Sequence, residues 1–435
     1  MLLRFGVENH LSIRDYQELS CVASRGYDDL PHTISVPDIR GKELEVLPVI
    51  AVYGANAAGK SNLLDALAYF ARSIRRSHRD WDELESLPHP CFTLDNNCSD
   101  RESTYECDVL IDGIRHQYGF ALNHRTINKE WLYSFPKGIR NILFQRSFSS
   151  DAVESYFGPT LKGITGTWKA LAEKRKTLLL SAAGNAEHKH EKLTPIYEYF
   201  KSNFASVRIA EENQQRLAEQ ISSESSRARL AEVMKMADFG IVGIELEKIA
   251  VPAEATKMMN AIAALLRDSL PASANAAPLP APPTEQIKIK FRHRGRDGET
   301  FLVDYENESS GTKYLMSLLV PVMDALEKGT SLIVDEITTN LHTKLSEKIL
   351  ELFVDRDKNK NHAQFIFSTH DTNLLSRELL RRDEIWFAEK TDDGATSIYP
   401  LSDFKIRKND NVERGYLQGR FGAIPFMGDV SVLLN

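Results

Sequence analysis

Eight consecutive residues, Gly54-Ala55-Asn56-Ala57-Ala58-Gly59-Lys60-Ser61, match G-x-x-x-x-G-K-[ST], a spacing that wraps backbone amides around phosphate. Gly54 and Gly59 admit φ values that are strained for side-chain-bearing residues, so consecutive N–H groups can turn towards one anion. Lys60 is placed to reach β- and γ-phosphates, the Ser61 hydroxyl to ligate Mg²⁺, and Asn62 follows in the first helical turn. By itself the loop implies ATP or GTP. A nucleotide–metal site also needs a carboxylate, and Ser331-Leu332-Ile333-Val334-Asp335-Glu336 supplies one: an apolar strand that delivers Asp335 at its C-terminal edge. Asp335 is expected to hold Mg²⁺ through its water shell, and Glu336, next along, to orient the attacking water. His370 follows the apolar run AQFIFST, 34 residues after Glu336, and can donate to a γ-phosphate oxygen. Glu308-Ser309-Ser310-Gly311-Thr312 opens a helix whose free N–H groups and hydroxyls can face an anion. Each feature has a plainer reading: a strand ending in two solvated acids, a structural histidine, a simple N-cap by Ser309 or Ser310.

These residues need elements to carry them. Val49 to Val52 read as a buried strand before the loop, and Leu63, Leu64, Leu67 and Phe70 recur at helical spacing after it, out to about Arg76. Residues 1–20 read as one or two strands, and 104–146 as an antiparallel meander with turns at Asp112-Gly113, Asn123-His124 and Pro136-Lys137-Gly138. Residues 149–270 are mostly helical in pattern, and AEENQQRLAEQISSESSRARLAEVMKMA is charged enough to project as an arm. A Pro/Ala linker occupies 271–285, after which strands alternate with helices. The expected fold is α/β: a head of residues 1–148 and 286–435 with a mostly parallel core sheet, an antiparallel β annex over 104–146, and a helical insertion.

The chain has 435 residues, 42% hydrophobic and 26% charged, with a net charge of −7, which excludes an overall basic nucleic-acid coat but not a local basic patch. No run of 18 apolar residues exists, and the N-terminus is charged too soon for a signal peptide, so a cytoplasmic protein without a membrane partner is expected. Cys21, Cys91, Cys98 and Cys107 lack paired C-x-x-C spacing and read as reduced thiols.

The order of these parts resembles the ABC-type ATPases of the SMC and OLD class. The resemblance is closer to the RloA/AbiLi-like ATPases of bacterial anti-phage (abortive infection) systems, near the PARIS ATPase subunit. It rests on F-x-V-E-N-H-x-S-I-R (Phe5 to Arg14), Y-G-A-N-A-A-G-K-S-N, E-S-S-G-T-K, D-E-I-T-T-N-L-H, S-T-H-D-T, R-R-D-E-I-W-F-A-E-K and Y-L-Q-G-R-F-G-A-I-P (Tyr416 to Pro425). It implies ATP and Mg²⁺ as ligands, Glu336 as catalytic glutamate and His370 as switch histidine. It also implies that Ser309, Ser310 and Gly311 act as a signature segment completing the site of a second subunit. E-S-S-G-T departs from the L-S-G-G of transporters and SMC proteins. A glutamine-loop residue stays open between Gln117 and Gln145.

Two functions compete. In the first, ATP draws two heads together in a dimer or higher oligomer, and a phage-derived trigger or hydrolysis controls an effector. Because the chain runs only 65 residues past His370, the Toprim nuclease fused to OLD relatives is expected as a separate protein. In the second, the chain is an SMC/RecF-like DNA-repair ATPase that binds DNA directly, with RSIRRSHR (72–79) as its basic cluster. A transporter motor fits the signature less well. A small-molecule kinase fits the Asp335-Glu336 and His370 set less well.

Overall fold

A computed structural model describes residues 1–24, 26, 30–37, 43–149, 152–161, 163, 166–207, 214–236, 240–269, 285–338, 341–375, 378–407 and 410–424. In chain order, β1 (Leu2–Glu8) and β2 (Gln17–Ser20) form a hairpin and β3 (Ile34–Pro37) and β4 (Glu43–Val46) another, before β5 (Val49–Tyr53) and α1 (Lys60–Asp80). Strands β6 (Ser103–Ile111), β7 (Ile114–Leu122), β8 (Ile127–Ser134), β9 (Asn141–Phe148) and β10 (Val153–Phe157) follow, then α2 (Gly166–Ala172), α3 (Leu179–Asn185), α4 (Leu193–Ser202) and β11 (Phe204–Val207). Next come α5 (Gln214–Gln220), α6 (Glu224–Met236), β12 (Ile241–Ala250), α7 (Ala253–Ser269), β13 (Glu285–Arg294), β14 (Thr300–Asp304) and α8 (Ser310–Lys328). The chain closes with β15 (Ser331–Val334), α9 (Thr343–Val354), β16 (Gln364–Ser368), β17 (Ile385–Lys390), β18 (Thr396–Pro400) and α10 (Val412–Leu417).

Two compact units result: residues 1–207 with 324–435, and residues 208–323. The first is mixed α/β. Its six-stranded core sheet runs β11-β15-β16-β5-β17-β18, parallel throughout except for β18. Residues of β5, β15 and β16 are buried along their whole length, as a sheet covered on both faces requires. A second sheet, β10-β9-β8-β7-β6-β1-β2, is antiparallel throughout. Helix α1 joins the two in one hydrophobic cluster: Leu63, Leu64 and Leu67 are buried with Ile50, Ile333 and Ile366, while Phe70 stacks on Phe120 at 5.7 Å and meets Phe5 edge-on at 5.8 Å.

The helical pattern expected over 149–270 is interrupted by β10, β11 and β12. Strand β11 belongs to the parallel core, where Phe204 to Val207 pair with Ser331 to Val334. Four residues are too few to show a period, so only pairing with a strand some 127 positions away marks them as core. The expected solvent arm instead breaks into α5 and α6, which pack on β13 and β12 within the second unit, burying Leu217, Leu230 and Met234. The polar surface of that run hid these few inward residues. Of the expected linker, 271–284 lie outside the described residues.

The tail motif finds a place in the first unit. Tyr416 of α10 lies against Tyr53 and Phe387, with ring centroids 6.2 and 5.4 Å apart, and donates its hydroxyl to Ala423 O at 3.0 Å. Pro425 is outside the described residues. Cys21, Cys98 and Cys107 are buried and Cys91 half-buried, none of them in a disulfide. Among the described residues no helix is long and apolar enough to cross a membrane.

Candidate nucleotide site

The phosphate loop leaves β5 through backbone angles that favour glycine at Gly54 and Gly59. Gly54 has φ 154° and Gly59 φ 104°, and Ala57 between them is also left-handed at 63°. A Cβ on Gly54 would stand 2.3 Å from Ala388 O, and one on Gly59 2.0 Å from Thr396 Oγ1. The loop is therefore clamped by the β17–β18 hairpin. Thr396 Oγ1 donates to Ala58 O at 2.9 Å and shares a 2.7 Å hydrogen bond with Ser12 Oγ, which accepts from Asn62 Nδ2 at 2.7 Å. Ser12 lies inside the F-x-V-E-N-H-x-S-I-R run, which gains a physical role: the segment ties the start of α1 to β18.

A cleft of about 470 Å³ opens over the loop, lined by Asn56, Ala57, Ala58, Gly59, Lys60, Ser61, Asn62, Glu336, His370 and Lys390. Its position follows from strand order. Strand β16 lies between β15 and β5, so the acids after β15, the histidine after β16 and the loop after β5 emerge along one carboxyl edge. The carbonyls of Gly54 and Ala55 accept from Lys60 Nζ, each at 2.9 Å. Burial lowers the Lys60 pKa, and the charges of Glu336 and Asp335 oppose that shift. Asp335 Oδ1 accepts from Ser368 Oγ at 2.5 Å, which turns its carboxylate towards the end of β16. Glu336 takes φ 55° and approaches His370, Oε1 to Nε2, at 3.7 Å. Burial and the nearby Lys60 charge lower the His370 pKa, against Glu336, Asp335 and a backbone hydrogen bond with Gly54.

The donor set fits a nucleoside triphosphate with a divalent cation. A buried lysine in the loop suits phosphate oxygens, and the Ser61 hydroxyl and Asp335 carboxylate are hard oxygen ligands of the kind Mg²⁺ takes. Bound Mg²⁺ would neutralise charge on the β- and γ-phosphates.

Ser309, Ser310 and Gly311 stand in the second unit at the start of α8, where Ser309 Oγ caps the helix by accepting from Thr312 N at 3.0 Å. The simple N-cap is thus present in the structure. Neither glutamine candidate lines the cleft: Gln117 donates to Glu106 Oε2 at 3.1 Å and Gln145 is exposed on β9. Two features escaped the sequence reading. Lys390, at the end of β17, lines the cleft beside the loop, and the Ser12–Thr396 bridge sets the loop's shape. The E-K pair ending EIWFAEK was the available signal for Lys390, but nothing local shows that β17 lies next to β5.

A phosphate loop, an acid pair and a histidine set on neighbouring parallel strands define an ATPase-type site. The chain belongs to the family described as "AAA domain, putative AbiEii toxin, Type IV TA system", whose profile matches residues 49–376. Among solved structures it is similar to the SMC head domain from Thermotoga maritima, at 12% identity and a TM-score of 0.39, over 93% of this chain and 99% of that one. It is also similar to the Smc head domain with an extended coiled coil bound to the C-terminal domain of ScpA from Pyrococcus furiosus, at 11% identity and a TM-score of 0.38, over 92% and 96% of the two chains. No curated protein matches it significantly.

Proposed function

We propose that this chain is the ATP-binding and ATP-hydrolysing switch subunit of an RloA/AbiLi-like anti-phage system, acting with Mg²⁺ and controlling a separate effector, a nuclease. The observation that carries the ATPase part is the convergence of Asn56–Asn62, Glu336 and His370 on one cleft. The defence part is supported by the family description and by the motif run from Phe5 to Pro425.

In this reading Lys60 and the loop hold the triphosphate, and Ser61 and Asp335 would hold Mg²⁺. The Glu336 carboxylate accepts a hydrogen bond from the attacking water and aligns it on the γ-phosphorus. The water oxygen bonds to the γ-phosphorus as the bond to the β–γ bridging oxygen breaks, and the water's proton stays on the inorganic phosphate or passes to solvent as ADP and phosphate leave. A neutral His370 donates to a γ-phosphate oxygen. Ser309, Ser310 and Gly311 of a second copy close the site, so ATP draws two heads together. A phage-derived trigger sets when the assembly releases its effector.

Three variants test the ATPase and pairing roles. Lys60→Ala loses nucleotide binding. Glu336→Gln keeps ATP bound, slows turnover and accumulates a dimer on size-exclusion chromatography. Ser309→Arg stays monomeric with ATP yet still binds it. Wild-type turnover by Glu336→Gln would remove the water-orienting role. For the defence role, cells carrying the gene with its genomic neighbours should resist phage plating, and cells carrying Lys60→Ala should not. Equal plating on both would reject it.

A second reading, an SMC/RecF-like DNA binder, is favoured by one observation: Arg72, Arg76 and Arg79 of α1 are all exposed. It predicts ATP-dependent, salt-sensitive retention of duplex DNA. The first reading predicts no such retention in the absence of the effector.

A further inference from the structure

We propose that Ser368 is a positioning residue for hydrolysis, holding Asp335 and Glu336 in one fixed arrangement through a single hydroxyl. The inference rests on the reading of Glu336 as the water-orienting group.

Ser368 is the last residue of β16 and is completely buried. Its Oγ donates to Asp335 Oδ1 at 2.5 Å and accepts the Glu336 N–H at 2.8 Å. A hydroxyl has one hydrogen and two lone pairs, so it can serve both acids at once. The bond to Asp335 is charge-assisted, the stronger class of hydrogen bond. The bond from Glu336 matters for another reason. At φ 55° Glu336 sits in the left-handed region, which is strained for a non-glycine residue and persists only where the surroundings impose it.

The rest of the seam supplies that imposition. Ile337 N donates to Ser368 O at 3.1 Å, so Ser368 brackets Glu336 on both sides. Thr369 N donates to Val52 O at 3.1 Å, tying the same point to the strand that carries the phosphate loop. Thr369 Oγ1 lies 3.1 Å from Thr338 Oγ1 and accepts from Asp371 N at 3.0 Å, so His370 leaves a braced turn. The Lys60 contacts to Gly54 and Ala55 do not pass through Ser368. Its loss should therefore affect turnover and the metal requirement, and leave metal-free nucleotide affinity alone.

The test compares Ser368→Ala, Ser368→Cys, Glu336→Gln and the double variant Ser368→Ala/Glu336→Gln in the full chain. Ser368→Ala removes one buried oxygen. Ser368→Cys keeps a weak donor of similar shape and carries the same comparison should the alanine variant not fold. Ser368→Ala is expected to lower kcat by about 10-fold or more with KM for ATP within about 3-fold, the pattern of an interaction made in the transition state. The Mg²⁺ concentration for half-maximal binding of a fluorescent ATP analogue should rise by about 10-fold, as for loss of an outer partner of a metal ligand. Binding of the analogue in EDTA should not change. In the Glu336→Gln background Ser368→Ala should cost no further turnover at saturating Mg²⁺, because that effect runs through Glu336, while the shift in Mg²⁺ requirement, which runs through Asp335, should persist.

Turnover by Ser368→Ala within about 2-fold of wild type, with Glu336→Gln inactive, overturns the role of Ser368 alone. A loss of equal size in both backgrounds at saturating Mg²⁺ shows that Ser368 does not act on turnover through Glu336 and also overturns it. Wild-type turnover by Glu336→Gln overturns the underlying reading instead.

Discussion

Nε2 of His370 lies 3.7 Å from Oε1 of Glu336, across the mouth of the cleft above the phosphate loop. Burial and the Lys60 charge both lower the His370 pKa below the ordinary 6.5. The imidazole is therefore neutral at neutral pH and charges only as pH falls below that value. ATP turnover should be flat from about pH 7 down to about 6.5 and fall below it, as expected for a neutral donor. His370→Gln should remove that acidic limb. A limb with its midpoint above 7, or one that survives in His370→Gln, contradicts the assignment.

The clamp on Gly59 gives a structural prediction. Gly59→Ala would force a Cβ to within 2.0 Å of Thr396 Oγ1 at a φ of 104°. Strain of this kind costs about 1–3 kcal/mol. The midpoint of denaturant unfolding should fall, and ATP binding by calorimetry should be lost. Unchanged binding would mean that the loop does not need this conformation.

Glu130 and Arg146 form an ion pair with no side-chain exposure, where Glu130 also accepts from Tyr118 Oη and from Leu179 N and Leu180 N. Arg146 donates in turn to Ala172 O, Lys174 O and Thr177 O, so the pair joins β8 and β9 to the α2–α3 segment. Glu130→Ala leaves a buried guanidinium without its counter-ion, and stability should fall by about 3–5 kcal/mol. Glu130→Gln, which keeps the shape and some of the hydrogen bonds, should lose less. Chemical denaturation at one pH ranks the two.

Glu384, which does not line the cleft, gives a pH-dependent test of stability. It is fully buried before β17, accepts from Arg381 N at 2.7 Å, and burial raises its pKa from 4.5 to about 8. The folded protein then holds this proton where the unfolded chain has lost it. The stability contribution is complete below about pH 4.5 and declines as pH rises towards about 8. Glu384→Gln cannot ionise, so its Tm relative to wild type should rise steadily between those limits. A difference independent of pH would show that Glu384 does not retain its proton.

Much of the site was legible in the residues because its chemistry is local. Gly54 to Ser61 carry their own backbone requirement, and Asp335, Glu336 and His370 stand at the ends of apolar runs, which are strand ends whatever their neighbours. Lys390 and Thr396 were not legible. Each matters through a strand pairing that brings it to a loop more than 300 positions earlier in the chain. The helical reading of 149–270 failed for the same reason at β11, a four-residue strand defined by its partner β15.

Residue types and spacing are enough to establish that a glycine-flanked loop joins a strand to a helix, that an acid pair ends a second strand, and that a histidine follows a third. Period, glycine φ and side-chain type are properties of short segments, and short segments keep them in any fold. Folding alone sets the three strand ends on one edge, because strand order is a property of pairing. It also decided that Ser368 serves both Asp335 and Glu336, and that Ser12 and Thr396 shape the loop. A hydroxyl takes its partners from the groups that folding brings within about 3 Å, and distance along the chain does not specify them.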